Sequence, residues 1–503
     1  MTLELTQLIT YLTIGLLVYY FVLELSKPKK GAQNWVSWAF VGGLLVLAGY
    51  FLWSSWSSQK GNGGLMQVFR QESSEEDLPE VVVSEEEEVQ QVTLPQMYIT
   101  QNKTFQLTDK GSTEMSPQVS YQDFKEWYLS PDFVEKFTVA VKNAMKIKRR
   151  RLTEEKRRYT ADLAALQRKD KGKNSLAGLL DMSKNDQTKT IENAIGEMDA
   201  LLKEIAVRER KLTPQVIKEN LISAVTDSKH GIDTLTGRES VKDFLALQLY
   251  TFAQNPRIFF SNFQNLAIYG PPGIGKTKLA QVIGHVYAAS GILIRNHVHI
   301  VTKKAMTTAY VDESAKMTER LLLGNLESVV FIDEAYDMTP PISVFGQGID
   351  HGHEAITELV NFTDKMKGLS IIIVAGYKEE MEERFMNANK GLPRRFPVKL
   401  ELTPYDSKAL TDILITFMTR TTPGLKVSSD QANFLYTIVS SVNKEDPKMF
   451  EFQASDMEHL SSHICKAMVS LPDASWEDDW ETVIKTGVNS YLGLKGAGIK
   501  EVA

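Results

Sequence analysis

An α/β domain with a parallel sheet, preceded by a helical hairpin, is the fold class that the sequence predicts. Its clearest signs are three apolar runs, each too short for a helix: LAIY at residues 266–269, SVVFI at 328–332 and SIIIVAG at 370–376. Strands that are buried on both faces of a parallel sheet give such continuous apolar runs. A helical stretch, KLAQVIGHVY, follows the first run after a glycine-rich loop, which predicts a strand–loop–helix unit.

Length and composition limit the class of protein. The 503 residues are enough for roughly two to four structural units. With 43% hydrophobic and 24% charged residues, the chain is neither wholly disordered nor collagen-like. The net charge of -6 argues against a nucleic-acid-binding surface over the whole molecule, and the single cysteine, Cys465, excludes an intrachain disulfide.

Two uncharged apolar segments open the chain and predict a transmembrane hairpin over residues 1–56. We expect its helices at about 5–24 and 35–55, since about 20 apolar residues cross a bilayer. Tryptophans lie near both ends of the second segment, where indoles favour the headgroup layer. The alternatives are a buried core helix or, for the first segment, a signal peptide, although the start Met-Thr-Leu-Glu lacks the usual positive charge.

Residues 57–117 predict an acidic, disordered linker. The stretches ESSEEDLPE and SEEEEV concentrate carboxylates and contain no aromatic residue. Such a segment cannot bury enough apolar surface to fold alone, so we favour a solvated tether over an acidic docking motif.

Two amphipathic stretches predict a helical hairpin or coiled coil over residues 118–222. Apolar side chains recur about every four residues, from Phe133 in the first stretch and from Ile191 in the second, with a polar break at 169–187. The basic run at residues 146–158 could attract the phosphates of nucleic acid or anionic lipid. Because no aromatic side chains interleave with it, we favour a solvated helix face and do not expect nucleic acid as a partner.

The loop after the first apolar run, GPPGIGKT, has the pattern of a P-loop. Its backbone N–H groups can surround phosphate oxygens, and the dipole of the following helix is favourable there. Lys276 is expected to reach the β- and γ-phosphates of ATP, and Thr277 to bind Mg²⁺ through its hydroxyl. The predicted nucleotide-binding residues are Gly270, Pro271, Pro272, Gly273, Ile274, Gly275, Lys276, Thr277, Lys278, Asp333 and Tyr377.

Two acids and an arginine pair extend the predicted catalytic set. Asp333 and Glu334 end the second apolar run, where Asp333 can hold the Mg²⁺ shell and Glu334 can polarise the attacking water as general base. Tyr377 ends the third run, at a place where a polar group can sense the γ-phosphate. In the loop KGLPRRF, Arg394 and Arg395 are suited to reach a phosphate in a neighbouring subunit.

The ordered set GPPGIGKT, VVFIDEAYDM, GHEAI, IIIVAGYKEEMEERF and GLPRRF resembles the AAA+ ATPases. It most resembles the branch that contains the red-type rubisco activases and the stage V sporulation protein K. The resemblance covers about residues 225–470. It implies a parallel five-stranded α/β domain at residues 223–403, a small α-helical lid with a C-terminal tail at 404–503, and a ring, usually hexameric, with ATP at the subunit boundaries.

The resemblance also implies roles for single residues. Arg395 matches the family arginine that acts across the subunit boundary, so the catalytic set is Glu334, Arg395 and Lys276. Tyr310 and Val311, in TTAYVDESAK, match the pore loop that grips a threaded polypeptide through apolar contact. The alternative for Tyr310 is a loop aromatic that packs internally.

Two positions depart from the family pattern. The family often has asparagine or threonine at the first sensor, where this chain has Tyr377. The Asn-Ala-Arg of the similar branch reads Gln453, Ala454 and Ser455 here, so the second-sensor arginine is missing, and hydrolysis is expected to be slow or to need a partner. Residues 231–245 match the family segment that contacts adenine.

Together these features predict a membrane-anchored ATPase, a homo-hexamer that uses ATP and Mg²⁺ to remodel or thread a protein substrate and contacts lipid through its N-terminal helices. The alternative is an ATP-dependent membrane scaffold or assembly factor that organises partners without threading. By the positive-inside rule, Lys27, Lys29 and Lys30 would place the loop between the apolar segments in the cytoplasm, with both termini outside. Access to ATP instead favours an integral membrane protein with its ATPase domain on the cytosolic, matrix or stromal side.

Overall fold

The computed structural model describes residues 96–100, 103–108, 111–115, 119–170, 178–307, 313–339, 351–471 and 476–495. The predicted transmembrane hairpin of residues 1–56 and the linker up to residue 95 lie outside these ranges. Within them, no helix combines the length and the apolar character that a bilayer crossing requires.

A mixed sheet of eight strands forms the centre of the structure. The strands are β1 (Gln96–Ile99), β2 (Thr104–Thr108), β3 (Gly111–Met115), β4 (Leu266–Tyr269), β5 (Val298–Val301), β6 (Val329–Ile332), β7 (Ile371–Gly376) and β8 (Val398–Glu401). Their spatial order is β3-β2-β1-β8-β4-β7-β6-β5, and the five strands from β8 to β5 are parallel. All residues of β4, β6 and β7 are buried, which explains their continuous apolar sequences.

The sheet is larger than the five strands that the resemblance implies, because part of the predicted linker is folded. β1 pairs in parallel with β8, in the register Met97 to Val398, and β2 and β3 follow as an antiparallel meander. Met97 and Ile99 are buried. The prediction of a disordered linker through residue 117 is therefore wrong for residues 96–100, 103–108 and 111–115. Averaging their composition with the acidic stretch hid a short alternating pattern.

Helices cover both faces of the sheet and build the region after it. They are α1 (Tyr121–Trp127), α2 (Pro131–Asp170), α3 (Gly178–Lys211), α4 (Pro214–Thr226), α5 (Glu239–Gln254), α6 (Pro256–Ser261), α7 (Lys276–Ala289), α8 (Lys303–Met306), α9 (Glu313–Leu323), α10 (His351–Lys365), α11 (Lys378–Glu380), α12 (Leu392–Arg395), α13 (Ser407–Thr421), α14 (Ser429–Glu445), α15 (Ala454–Ser470) and α16 (Trp480–Leu494). Short 3₁₀ turns occur at Ile232–Thr234, Ala335–Met338 and Pro447–Phe450, and a π-helical turn at Met381–Met386 follows α11.

The two helical stretches predicted before the sheet are α2 and α3, which run antiparallel. Lys156 of α2 pairs with Asp199 of α3 at 2.7 Å, and Arg149, earlier in α2, pairs with Glu209, later in α3. The apolar face of α2, including Phe137, belongs to the same hydrophobic core as the sheet. This helix pair, here called the hairpin, is thus attached to the α/β domain through the apolar face of α2.

Helices α13 to α16 form a separate lid with its own core. Leu414, Leu435, Leu460 and Ile484 are all fully buried in it. Local sequence fixes where two of these helices begin: Asp406 caps α13 by accepting a hydrogen bond from the N–H of Ala409, and Ser428 begins α14 with a capping box. A short connection after β8 joins the lid to the sheet.

Candidate functional site

The predicted P-loop connects β4 to α7 at the carboxyl end of the parallel sheet. Gly273 and Gly275 have φ values of 70° and 97°, the left-handed region that glycine adopts without strain. Among the described residues, the backbone N–H groups of Gly273, Ile274 and Gly275 donate no hydrogen bond to the protein. These groups therefore fit phosphate oxygens, and the N-terminus of the 14-residue helix α7 adds its dipole.

Lys276 is oriented along this loop. Its ammonium donates to the carbonyl oxygens of Gly270 and Pro271 at 2.9 Å and 3.0 Å. Burial lowers the pKa of Lys276, whereas the carboxylates of Asp333 and Glu334 raise it. The side chain is thus held between the loop and the two acids, where the end of a bound polyphosphate would lie.

The two acids stand at the end of β6, as the sequence predicts. The N–H of Asp333 donates to the carbonyl of Val301 at 3.0 Å, which continues the pairing of β6 with β5. Glu334 is exposed and has φ 49° and ψ 47°, an uncommon left-handed conformation for this residue type. Such strain is typical of functional positions and turns the carboxylate away from the strand axis, toward the cavity.

Asp333 and Glu334 line one cavity of about 770 Å³ together with the P-loop. Further walls come from residues 226–228 and 233–236 and from the lid, including Thr416, Phe417 and Ser455. No cluster of three or more histidine, cysteine or acidic side chains suited to a metal occurs among the described residues. Mg²⁺ in nucleotide sites is held by one or two protein oxygens together with phosphates and waters, so Thr277 and Asp333 fit that ion.

The lid contacts the P-loop directly. A Cβ atom placed on Gly273 would lie 2.2 Å from the carbonyl oxygen of Phe452, so only glycine fits between the loop and the lid. Tyr405, in the connection to the lid, donates its hydroxyl hydrogen to the carbonyl of Ile274 at 3.3 Å. Gln453, beside Phe452, has φ 49° and accepts a hydrogen bond from the N–H of Tyr405 at 2.8 Å. The lid and the P-loop are therefore joined by direct contacts through Phe452, Gln453 and Tyr405.

Sequence reasoning missed Arg238 as a residue of the cavity wall. Its guanidinium stacks on the Tyr405 ring at 3.9 Å and donates to the carbonyl of Thr403 at 2.8 Å, although the side chain is only 2% exposed. The segment 231–245 had been identified as an adenine contact, and residues 233–236 and Arg238 do line the cavity. The pairing of Arg238 with Tyr405 joins residues 167 positions apart, which no local pattern shows.

The two sensor positions have different surroundings. Tyr377 follows β7, and its ring lies 5.7 Å from the Lys276 ammonium and 6.1 Å from the Tyr336 ring. Ser455 lines the cavity and offers a hydroxyl where the similar branch has arginine. Arg420, on the lid helix α13, is exposed and also lines the cavity. The lid therefore brings a positive charge to the cavity from another helix, which the sequence motifs do not indicate.

The arginine pair lies on α12, and the two side chains differ. Arg395 donates to the carbonyls of Val360 and Gly391 at 3.1 Å and 2.9 Å and pairs with the carboxylate of Asp364. Arg394 is exposed. Neither arginine is among the described residues that line the cavity of the same chain, so a catalytic role for either requires a neighbouring subunit.

The predicted pore-loop residues Tyr310 and Val311 lie outside the described residues. The structure describes the elements on either side, namely β5, α8 and α9. β5 is adjacent to β6, so the chain that leaves it starts beside the strand that carries the two acids.

Comparison with known proteins identifies this domain. Residues 266–403 match the model of the ATPase family associated with various cellular activities (AAA). Stage V sporulation protein K of Bacillus subtilis (strain 168) is 33% identical over 144 residues, which are 29% of this chain and 43% of that protein. ESX-3 secretion system protein EccA3 of Mycobacterium tuberculosis (strain ATCC 25618 / H37Rv) is 30% identical over 149 residues, 30% of this chain and 23% of that protein.

A third relative is the protein CfxQ homolog of Galdieria sulphuraria, 30% identical over 154 residues, which are 31% of this chain and 49% of that protein. The chain thus spans less than half the length of each of these relatives. Residues 266–403 are an AAA ATPase domain, and the activity of this domain is ATP hydrolysis. The arrangement suits that chemistry: the P-loop can bind and orient the phosphates, Lys276 can neutralise their charge, and Glu334 can accept a proton from the attacking water.

Proposed function

We propose that this chain assembles into a ring, a homo-hexamer, in which ATP hydrolysis remodels or threads a protein substrate. The observation that carries this proposal is the position of α12 outside the ATP cavity of its own chain. A guanidinium there gains a catalytic role only when a second subunit brings its γ-phosphate to it. One relative is named as a secretion-system protein, which supports a protein as the substrate.

Electron microscopy of the purified full chain tests assembly. The Glu334→Gln variant with ATP should form closed rings, because nucleotide stays bound at the subunit boundaries. A particle that stays monomeric with saturating ATP would contradict the proposed ring. ATP hydrolysis by a monomeric wild-type chain would still leave the assignment of the ATPase domain intact.

In the proposed ring, the Arg395 guanidinium leaves the Asp364 carboxylate and binds a phosphate of the ATP in the neighbouring subunit. The Asp364 side chain is 47% exposed and that of Arg395 is 12% exposed, so a phosphate would replace the carboxylate from its solvent side. Arg395→Ala should lower turnover in the ring by about 10³-fold and leave ATP binding intact. Steady-state ATPase assays and nucleotide titrations measure the two effects.

Arg394→Ala, in the same helical turn, is the matched control and should retain turnover. Mixing Arg395→Ala subunits with Glu334→Gln subunits should recover part of the activity, because some boundaries then combine intact acids with an intact arginine. No recovery would show that Arg395 acts within its own chain, and a loss confined to Arg394→Ala would exchange the two roles.

A scaffold that organises partners without threading is the second candidate function. One feature of the cavity favours this function. Ser455 cannot supply the charge of a second-sensor arginine, so hydrolysis is expected to be slow, and slow hydrolysis suits a scaffold. Tyr310→Ala separates the two. Loss of substrate remodelling with retained ATPase activity supports threading, whereas full remodelling activity in this variant supports the scaffold.

Membrane anchoring by residues 1–56 remains part of the proposal and rests on the two apolar segments. The full chain should float with phospholipid vesicles and resist extraction at alkaline pH. A chain that begins at residue 57 should stay in the soluble fraction and keep its ATPase activity. Equal flotation of both chains would contradict an anchor in this segment.

A further inference from the structure

A buried ion pair joins the hairpin to the catalytic sheet. The ammonium of Lys148, on α2, lies 2.7 Å and 2.6 Å from the two carboxylate oxygens of Glu327. The side chains are 1% and 0% exposed. Lys148 also lies 4.8 Å from the centre of the Phe260 ring. Charges are seldom buried this completely, because removing an ion from water is costly unless a partner compensates it.

Glu327 contacts the segments that lead into β5 and β7, and it lies itself just before β6. Its N–H donates to the carbonyl of Leu369 at 2.6 Å, just before β7. Its carbonyl accepts from the N–H of Arg295 at 2.9 Å, and its carboxylate accepts from the N–H of Ile294 at 3.2 Å, both before β5. Glu327 itself precedes β6 and has φ 59°, so the conformation of this residue is imposed by its contacts.

Two further arginines attach the hairpin to the same end of the sheet. Arg151, three residues after Lys148, donates to the carbonyl of Lys367 at 2.6 Å. A Cβ atom on Gly368 would lie 2.6 Å from the Arg151 guanidinium, so the close approach depends on this glycine. Arg295 pairs with Glu197 and Glu204 of α3, each at 3.0 Å. Both helices of the hairpin therefore hold this end of the sheet.

The opposite ends of these strands carry the catalytic groups. β6 is four residues long and fully buried, and it leads from Glu327 and Ser328 to Asp333 and Glu334. β7 leads to Tyr377. A short strand that pairs with neighbours on both sides is stiff, so a shift at its start moves its end by a similar distance. A displacement of about 1 Å at a catalytic group can cost about 100-fold in rate.

We propose that Lys148 is a positioning residue for ATP hydrolysis: through Glu327 it fixes the start of β6, and thereby the placement of Asp333 and Glu334 at the phosphates. Only a change that displaces α2 at Lys148 is then expected to alter turnover. The inference rests on ATP hydrolysis at this P-loop and does not require ring formation or threading.

The double variant Lys148→Met/Glu327→Gln tests the proposal in the full chain. It removes both charges together, and a buried ion pair can often be replaced by uncharged residues without loss of stability. The melting temperature and the dissociation constant for ATP should stay at the wild-type values. The turnover number should fall by about ten- to hundredfold, because the acids are no longer held in position.

The pair Lys156 and Asp199 supplies the matched control. It joins α2 to α3 farther along the hairpin, with side chains that are 34% and 43% exposed. Lys156→Met/Asp199→Asn should leave turnover unchanged. A fall of equal size in both double variants would mean that loosening the hairpin in general, and not the contact at β6, lowers the rate.

Wild-type turnover in a stably folded Lys148→Met/Glu327→Gln protein would overturn the proposal. If that variant does not fold, Glu327→Gln alone gives the same readout, since it weakens the contact with Lys148 before β6 and keeps the shape of the side chain. Reduced turnover with unchanged ATP affinity supports positioning, and unchanged turnover refutes it. Absence of ATPase activity in the wild-type chain would instead contradict the function of the domain itself.

Discussion

Glu334→Gln should bind ATP with wild-type affinity and hydrolyse it about 10²–10⁴ times more slowly. The glutamine has nearly the same shape but accepts no proton from the attacking water. Asp333, Thr277 and the P-loop remain to hold nucleotide and Mg²⁺. Single-turnover ATPase assays and titration with a fluorescent nucleotide separate the chemical step from binding.

Asp337→Asn is the matched control for this prediction. Asp337 is exposed and lies in the 3₁₀ turn immediately after Glu334, so the substitution changes the same net charge nearby. Its turnover should stay near the wild-type value. Wild-type turnover in Glu334→Gln, or an equal loss in Asp337→Asn, would mean that Glu334 is not the general base.

Lys148→Met should lower the free energy of unfolding by about 3–5 kcal/mol. The methionine fills most of the space, but the Glu327 carboxylate stays buried without its partner. Lys156→Met, which breaks an exposed pair in the same helix, should cost about 0–1 kcal/mol. Urea denaturation of the two full-length variants, followed by circular dichroism, measures the difference, and equal losses would show that the Lys148 pair is no more important than a surface contact.

The loss in Lys148→Met should also depend on pH. Burial raises the pKa of the Glu327 carboxyl, and Lys148 opposes that rise. Without the lysine the folded-state pKa rises further, so the folded protein binds a proton that the unfolded chain releases above about pH 4.3. The free energy of unfolding of Lys148→Met therefore decreases as the pH rises from the unfolded-state pKa toward the folded-state pKa of Glu327. Its deficit relative to the wild type should accordingly shrink as the pH falls from about 7 to about 5. A deficit independent of pH would exclude a buried carboxylate as its cause.

The nucleotide site was largely predictable from the sequence because its signals are local. The glycine spacing of the P-loop, the apolar run before Asp333 and Glu334, and the run before Tyr377 each occupy fewer than about twelve residues. Parallel strands bring their carboxyl ends to one edge of a sheet, so these groups meet without further information.

Groups that act through distant contacts were not predictable. Arg238 reaches Tyr405 across 167 positions, and Lys148 reaches Glu327 across 179. In the sequence, Lys148 is one of several basic residues in the run at 146–158. Such a run predicts a helix face exposed to solvent. Only the three-dimensional structure distinguishes this fully buried lysine from its exposed neighbour Lys146.

The added strands were missed for a different reason. β1 has only four residues, and its apolar side chains gain their stability from β8, which lies about 300 positions later in the chain. Its alternating pattern is too short to set it apart from the polar chain around it until its partner strand is known.

The pairing of β1 with β8 also determines where the N-terminal part of the described chain is attached to the ATPase domain. Met97, Tyr98 and Ile99 lie in register with three consecutive residues of β8, and the Tyr98 hydroxyl donates to Glu401. The chain therefore pairs with the edge of the parallel sheet before it enters the hairpin. Residues 96–99 and the hairpin thus give the chain two successive attachments to the ATPase domain, one at the edge of the sheet and one through the apolar face of α2.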